Sequence, residues 1–296
     1  MINSHVTSMK NLLLALLFLG PLSVSRAETT IHPANKFSYG GNIGWVDWRG
    51  NTSSGAIIGE YVCSGFIYAA NVGWINLGSG SPANGIQYQN NSTDSGVNHD
   101  GLGNLRGLAY GANVGWINFE NNGAPKVNLD TGQLSGLVYS ANAGWISLSN
   151  AAAFVQTDRI QSSPDTDSDG ISDAWEQIHT NSLAPFHATS DSDGDGVSDA
   201  GEYLADTDPL DASSALRILY FSVNFLGEND YETLQWTTRP TRRYRLQHRT
   251  AFDPGAPWIT LAPLYSSPDA TITLLIGFNS PSSQRFFRIE PLLPLP

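Results

Sequence analysis

"YAANVGWINL" (residues 68–77) returns as "YGANVGWINF" (110–119), with looser copies in "YGGNIGWVDW" (39–48) and "YSANAGWISL" (139–148). All four fit Y-x-x-N-x-G-W-[IV]-x-[LFW], and self-similarity of this kind marks a repeated supersecondary unit. Each copy reads as a β-hairpin. An alternating apolar run enters a turn of small residues with Asn and Gly, which tolerate positive φ, and a second alternating run leaves it. Successive side chains on a strand point to opposite faces. The Ile or Val after each Trp therefore shares a face with the Leu, Phe or Trp two residues on. Trp45, Trp74, Trp116 and Trp145 share the other face with Asp47, Asn76, Asn118 and Ser147. Strand patterns in "GIQYQ" (85–89) and "PKVNL" (125–129), the latter followed by the turn "LDTGQL" (129–134), extend the region to an antiparallel meander of about a dozen short strands. A single hairpin cannot bury its apolar face, so the copies must pack on one another. The pattern leaves barrel, solenoid and sandwich open.

The four tryptophans have two readings. A large ring can cover a neighbouring glycine backbone and stack cross-strand on tyrosine, which is a structural role and the favoured one. As an exposed aromatic face they are candidate binders of sugar rings. The pattern resembles Trp-rich NxGW repeats of exported bacterial proteins of unknown function, over residues 37–150, and the resemblance implies no activity.

The N-terminus carries the marks of a cleaved secretory signal over residues 1–27: Lys10, the apolar run "LLLALLFL" (12–19), and small residues at Ser25 and Ala27. The run is too short to span a bilayer. The expectation is an exported mature chain without a transmembrane segment, secreted or held at the cell surface. Cys63 is the single cysteine, so no intramolecular disulfide can form and stability needs another staple. Its alternating surroundings predict a buried strand thiol.

The chain's net charge of −12 is concentrated in one place. "DTDSDGISDAWE" (165–176) and "DSDGDGVSDAGE" (191–202) share the layout D-x-D-x-D-G-x-x-D-x-x-E, the spacing of a twelve-residue calcium loop. Calcium is a hard cation that takes about six to eight oxygen ligands. Asp165, Asp167 and Asp169 occupy positions 1, 3 and 5 of the first loop, and Asp191, Asp193 and Asp195 those of the second. Gly170 and Gly196 allow the sharp turn at position 6. Ile171 and Val197 offer backbone carbonyls at position 7. Asp173 and Asp199 fill position 9, and Glu176 and Glu202 fill position 12. Asp206 and Asp208, in the trailing "ADTDPLDASS" (205–214), are further candidate ligands. His179 and His187 lie between the loops but are poor calcium ligands. Short helices are expected after each loop, whereas Pro164 opposes an entering helix. Loop then helix, twice, resembles thrombospondin type 3 calcium repeats and, more faintly, a dockerin, although dockerins usually carry Asp at position 12. Extracellular calcium is abundant and extracellular modules bind it at about 0.1–1 mM, so structural saturation rather than signalling is expected.

Residues 215–296 hold six strand patterns separated by turn residues, which suits a small β-sandwich. Their order resembles fibronectin type III-like C-terminal domains of exported bacterial proteins. Arg239, Arg242, Arg243, Arg245 and Arg249 read as charges on solvated strand edges, with docking against the acidic segment or an anionic surface polymer as the alternative.

The expected architecture is mainly β: a Trp-rich β-repeat domain (28–157), a calcium loop-helix segment (158–214) and a C-terminal β-sandwich (215–296). The leading functional expectation is an exported calcium-binding protein for surface display or adhesion, with an extracellular glycan or surface protein as partner. The second is a carbohydrate-binding protein using the Trp face. A polysaccharide-acting enzyme or a dockerin-like assembly protein comes behind them. No nucleophile, base and orienting group stand together, so catalysis is not expected. The acidic charge argues against nucleic acid.

Overall fold

The computed structural model describes residues 28–50, 52–224, 231–251, 253, 255–261, 264–266, 269–277 and 285–295. The signal-like segment, 1–27, lies outside the described residues. The chain is mainly β, with antiparallel strand pairing throughout its sheets. It opens with a hairpin, β1 (Ile31–Gly40) and β2 (Gly44–Asp47). A short β3 (Ile57–Ile58) precedes the second hairpin, β4 (Cys63–Ala69) and β5 (Gly73–Gly78). β6 (Val97–His99) precedes the third, β7 (Leu105–Gly111) and β8 (Gly115–Asn118). The small pair β9 (Lys126–Val127) and β10 (Leu134–Ser135) precedes the fourth, β11 (Leu137–Ser140) and β12 (Gly144–Ser147). β13 (Val155–Thr157) returns to lie against β1.

The four hairpins close into a barrel, because β12 pairs with β1. The junctions repeat one register. Val46 faces Ala69, Ile75 faces Gly111, Ile117 faces Ser140, and Ile146 faces Gly40. Closure removes the exposed hydrogen-bonding edges that an open sheet would leave. The motif's asparagine stitches each junction. Asn71 Nδ2 donates to Ile43 O at 3.1 Å, Asn113 to Val72 O at 3.2 Å, and Asn142 to Val114 O at 3.2 Å. Asn42 completes the ring by donating to Ala143 O at 3.1 Å. The motif's glycine sits at positive φ in every turn, 73° to 80°, a conformation that disfavours residues with a Cβ.

Strand parity sets the core. Val46, Ile75, Ile117 and Ile146 are buried inside, with Ile43, Val114 and Ala143 filling the barrel end. Trp45, Trp74, Trp116 and Trp145 stand outside, 47–48% exposed. Each packs on the tyrosine of its own hairpin, with ring centroids 4.8–5.0 Å apart. They form an outer aromatic belt rather than a second core. "GIQYQ" is not a strand. Tyr88 instead turns inward, its hydroxyl accepting from Gly80 N at 2.6 Å and donating to Cys63 O at 3.2 Å. Cys63 is buried, and its thiol is pushed up to about 12 by burial.

Two short helices follow, α1 (Asp173–Thr180) and α2 (Asp199–Ala205). The C-terminal strands are β14 (Ile218–Asn224), β15 (Tyr231–Thr237), β16 (Arg243–Arg249), β17 (Ile259–Thr260), β18 (Thr271–Gly277) and β19 (Phe286–Leu292). They make two sheets, β14-β15-β18 and β17-β16-β19. Leu234, Trp236, Tyr244 and Leu246 fill the space between them.

Ile117→Ala removes barrel core and is expected to cost about 2–5 kcal/mol. Trp116→Ala loses a half-exposed ring and its stacking, about 1–2 kcal/mol. Denaturant titration of both variants measures the difference, and an equal or larger loss at Trp116 would overturn this placement of the core.

Candidate metal centre

The two acidic loops fold alike. Each begins with an aspartate whose carboxylate gathers the loop's own amides. Asp165 accepts from Asp169 N at 3.1 Å and Gly170 N at 3.0 Å. Asp191 accepts from Gly194, Asp195 and Gly196 N at 2.8–3.1 Å. Gly170 and Gly196 have φ of +92° and +94° with open space where a Cβ would sit, so backbone conformation, not crowding, requires glycine there. Position 4 is also left-handed in both, at Ser168 and Gly194.

Each loop closes onto the helix that follows. Asp173 N donates to Pro164 O at 2.8 Å, and Asp199 N to Ser190 O at 2.7 Å. Ser172 and Ser198 cap α1 and α2, accepting from Trp175 N and Gly201 N. The position-9 aspartates turn back toward position 2. Asp173 accepts from Thr166 N at 2.7 Å and from the Thr166 hydroxyl. Asp199 accepts from Ser192 N at 3.0 Å, Ser192 Oγ at 2.9 Å and Ser190 Oγ at 2.5 Å. These hydroxyl clamps were not part of the loop template. Their signal is in the sequence, as a Thr or Ser at position 2 of both loops and a Ser directly before the second.

Among the described residues, carboxylate oxygens converge in three groups: Asp165 with Asp167 and Asp173, Asp167 with Asp169 and Glu176, and Asp191 with Asp193 and Asp195. Ile171 lies in a small core with Trp175, Phe186 and Tyr203, against which Tyr61 of the barrel packs. Val197 N donates to Asp195 Oδ1 at 2.8 Å. Glu176 and Glu202 are wholly buried at the helix starts. Asp206 and Asp208 do not join the clusters. Asp206 accepts from the Thr241 hydroxyl and lies 3.7 Å from Arg242, while Asp208 lies 3.4 Å from His179 Nδ1. They sit beyond the left-handed end of α2, at Asp206, which turns the chain toward the C-terminal sheets.

The donor set fits a hard divalent cation. Both oxygens of Glu176 are buried without a hydrogen-bond partner, as are one oxygen each of Asp169, Asp193 and Glu202. Buried carboxylate oxygens left without donors are costly in a folded protein unless a cation supplies the missing partner. Desolvation, reinforced by Asp169, Asp167, Asp173 and Asp165, pushes Glu176 up to about 8. Desolvation, opposed by the Thr207 hydrogen bond and aided by Asp193, Asp195 and Asp199, pushes Glu202 up to about 7. Calcium would be held by the position 1, 3, 5 and 12 carboxylates, and it would supply the positive charge that lets them lie together.

Residues 165–185 and 191–212 match the family model for the bacterial TSP3 repeat. No curated protein and no solved structure matches the chain. The repeats are of a calcium-binding type, and the acidic clusters can hold a metal. Among the described residues, no helix is long and apolar enough to cross a membrane.

The folded-state pKa of Glu176 and Glu202 lies above the ordinary value of 4.5. The metal-free fold therefore loses stability as pH rises from about 4.5 through 8. Calcium must displace those protons, so its apparent affinity should rise between about pH 6 and 8.5 with net proton release near pH 7. Calorimetry in buffers of different ionisation enthalpy measures both; a flat affinity with no proton release would show that these glutamates take no part. Glu176→Gln should weaken binding by about tenfold or more while Asp208→Asn changes it little, read by the same titration.

Proposed function

We propose that the chain is an exported, multidomain calcium-binding protein used for surface display or adhesion, with calcium as its structural staple. The three parts are residues 28–157, 158–214 and 215–296, following a cleaved signal at 1–27. The reading places binding and scaffolding, not catalysis, at the centre of its role.

One observation carries it: the acidic segment is a joint, not a tether. Tyr203 of α2 donates its hydroxyl to Glu60 of the β3–β4 connection at 3.2 Å. Arg242, buried, donates to the Leu204 and Tyr203 carbonyls at the end of α2, at 3.0 and 2.9 Å. Its guanidinium lies 3.6 Å from Glu60. Arg243, also buried, pairs with Asp130 of the β9–β10 connection at 2.8 Å. Arg242 and Arg243 are thus not solvated edge charges; burial against acids of the barrel and of α2 makes them docking residues. A charge pair buried here is costly to break from one side. Calcium that fixes α2 would fix the seating of barrel and C-terminal sheets together.

A second reading, carbohydrate binding by the outer belt, is favoured by the half-exposed tryptophans. Such rings offer flat apolar faces to sugars, and exposed aromatic patches on this scale are uncommon without a partner.

The test is a thermal melt of the chain with calcium and with chelator, beside metal stoichiometry. Saturating calcium at about a hundredfold over its Kd should add about 2.7 kcal/mol per site. Arg242→Ala should lower the melt in calcium and expose the segment between α2 and β14 to protease. Absence of bound calcium and of any shift would sink the proposal.

A further inference from the structure

Beside the second hairpin lies a cleft of about 530 Å³, within the range of small-molecule sites. We propose that this cleft binds a neutral saccharide of about disaccharide size, and that the wall it shares with the first calcium loop makes binding calcium-dependent. The inference gives the adhesion reading a ligand class and rests on that reading for its biological meaning.

The second hairpin differs here from the third. A Cβ at Gly65 would collide with Gly55 O, as one at Gly107 would with Gly96 O, but the third hairpin adds two side chains at this place. Asn90 Oδ1 accepts there from Gly96 N at 3.2 Å and Leu108 N at 3.1 Å, and Glu120 Oε1 accepts from Gly107 N at 2.9 Å. Glu120 stands four residues after Trp116; four residues after Trp74 the chain has Gly78, with no side chain. Gly65 and Gly78 face each other across β4 and β5, and both line the cleft.

Its chemistry selects the ligand. Serine hydroxyls at Ser53, Ser54, Ser64 and Ser79, and the amides of Asn76 and Gln161, line the walls. Such groups match the mixed donors and acceptors of sugar hydroxyls. Phe66 supplies an apolar wall and meets Trp74 of the belt edge-on, with centroids 6.4 Å apart. Among the described residues no Lys or Arg lines it, and the one charged residue that does is Glu60, which disfavours anions. Glu60 is buried at the back of the cleft, its Oε2 accepting from Tyr203 and its Oε1 3.6 Å from Arg242, so the hydroxyl and amide groups of the walls are left to meet the ligand. Hydrolysis of a glycosidic bond canonically uses a second carboxylate across the ligand, and among the described residues none lines the cleft, so the expected outcome is binding without cleavage.

The link to calcium is the short run Ser162–Pro164. Gln161 is pinned to β3, donating to Ile58 O at 2.9 Å and accepting from Glu60 N at 2.9 Å. Pro164 O accepts from Asp173 N at the start of α1. The cleft wall is therefore strung between the barrel and the first loop, one residue before Asp165.

The test titrates the full chain with cellobiose, maltose, lactose and diacetylchitobiose, in calcium and in chelator, by calorimetry and tryptophan fluorescence. At least one should bind in calcium, uncut, and weaken by about tenfold or more in chelator. Gln161→Ala should weaken it by about three- to tenfold; Ser64→Phe, which fills the cleft, should abolish it; Ile259→Ala, exposed on β17 away from the cleft, should leave it unchanged, and Trp145→Ala tests the belt as the rival site. If Ser64→Phe does not keep the parental calcium melt, Gln161→Ala decides. Failure of all four sugars, unchanged affinity in the cleft variants, or loss in Trp145→Ala alone would overturn the cleft. The calcium melt of the same samples reports separately on the functional reading, and binding that persists in chelator would overturn the coupling.

Discussion

Four asparagine amides hold this structure in its shape. Each hairpin is only two short strands, and the ladders between hairpins are brief. Asn42, Asn71, Asn113 and Asn142 reach across those junctions to a carbonyl of the neighbouring turn. Satisfied carbonyls at the barrel end let the apolar turn residues Ile43, Val114 and Ala143 sink inward. With the ring closed, the Ile and Val after each Trp form one core. The loops between hairpins then have a fixed surface on which to lie, and the Glu60 loop that receives α2 is one of them.

The acidic segment solves the opposite problem. Its carboxylates repel one another, and several of their oxygens are buried without donors. Local hydrogen bonding from backbone amides and from Thr166 and Ser192 shapes the loops but leaves Glu176 unsatisfied. The helices nonetheless sit in a small aromatic core and make the joint through Tyr203 and Arg242. The least self-sufficient part of the chain is thus the part that connects the other two. This arrangement ties long-range geometry to an ion.

Local patterns were readable and long-range closures were not. The period-two alternation around each Trp puts Ile117 and Trp116 on opposite faces, and the loop spacing marks the aspartates that the structure brings together. "GIQYQ" misled because alternation is also what a tyrosine anchored on both sides of a loop produces. The pairing of β12 with β1 joins residues over a hundred positions apart, and nothing local in "YSANAGWISL" specifies its partner. The asparagines were read as turn formers, which they are, but their amides act across the junction. Arg242 and Arg243 looked like edge charges because sequence shows their neighbours on one strand and not the acids packed over them. Asp206 and Asp208 shared the composition of the ligand run but lie past the helix end, where the chain has already turned away.

Closure also makes the number of hairpins indivisible. In an open solenoid a unit can be gained or lost, and the array simply becomes longer or shorter. Here Asn42 of the first unit bonds Ala143 of the last, so a chain with one unit fewer would have a gap and one with an extra unit would have nowhere to put it. The same bond makes the starting point arbitrary: hairpin order around the ring has no structural beginning.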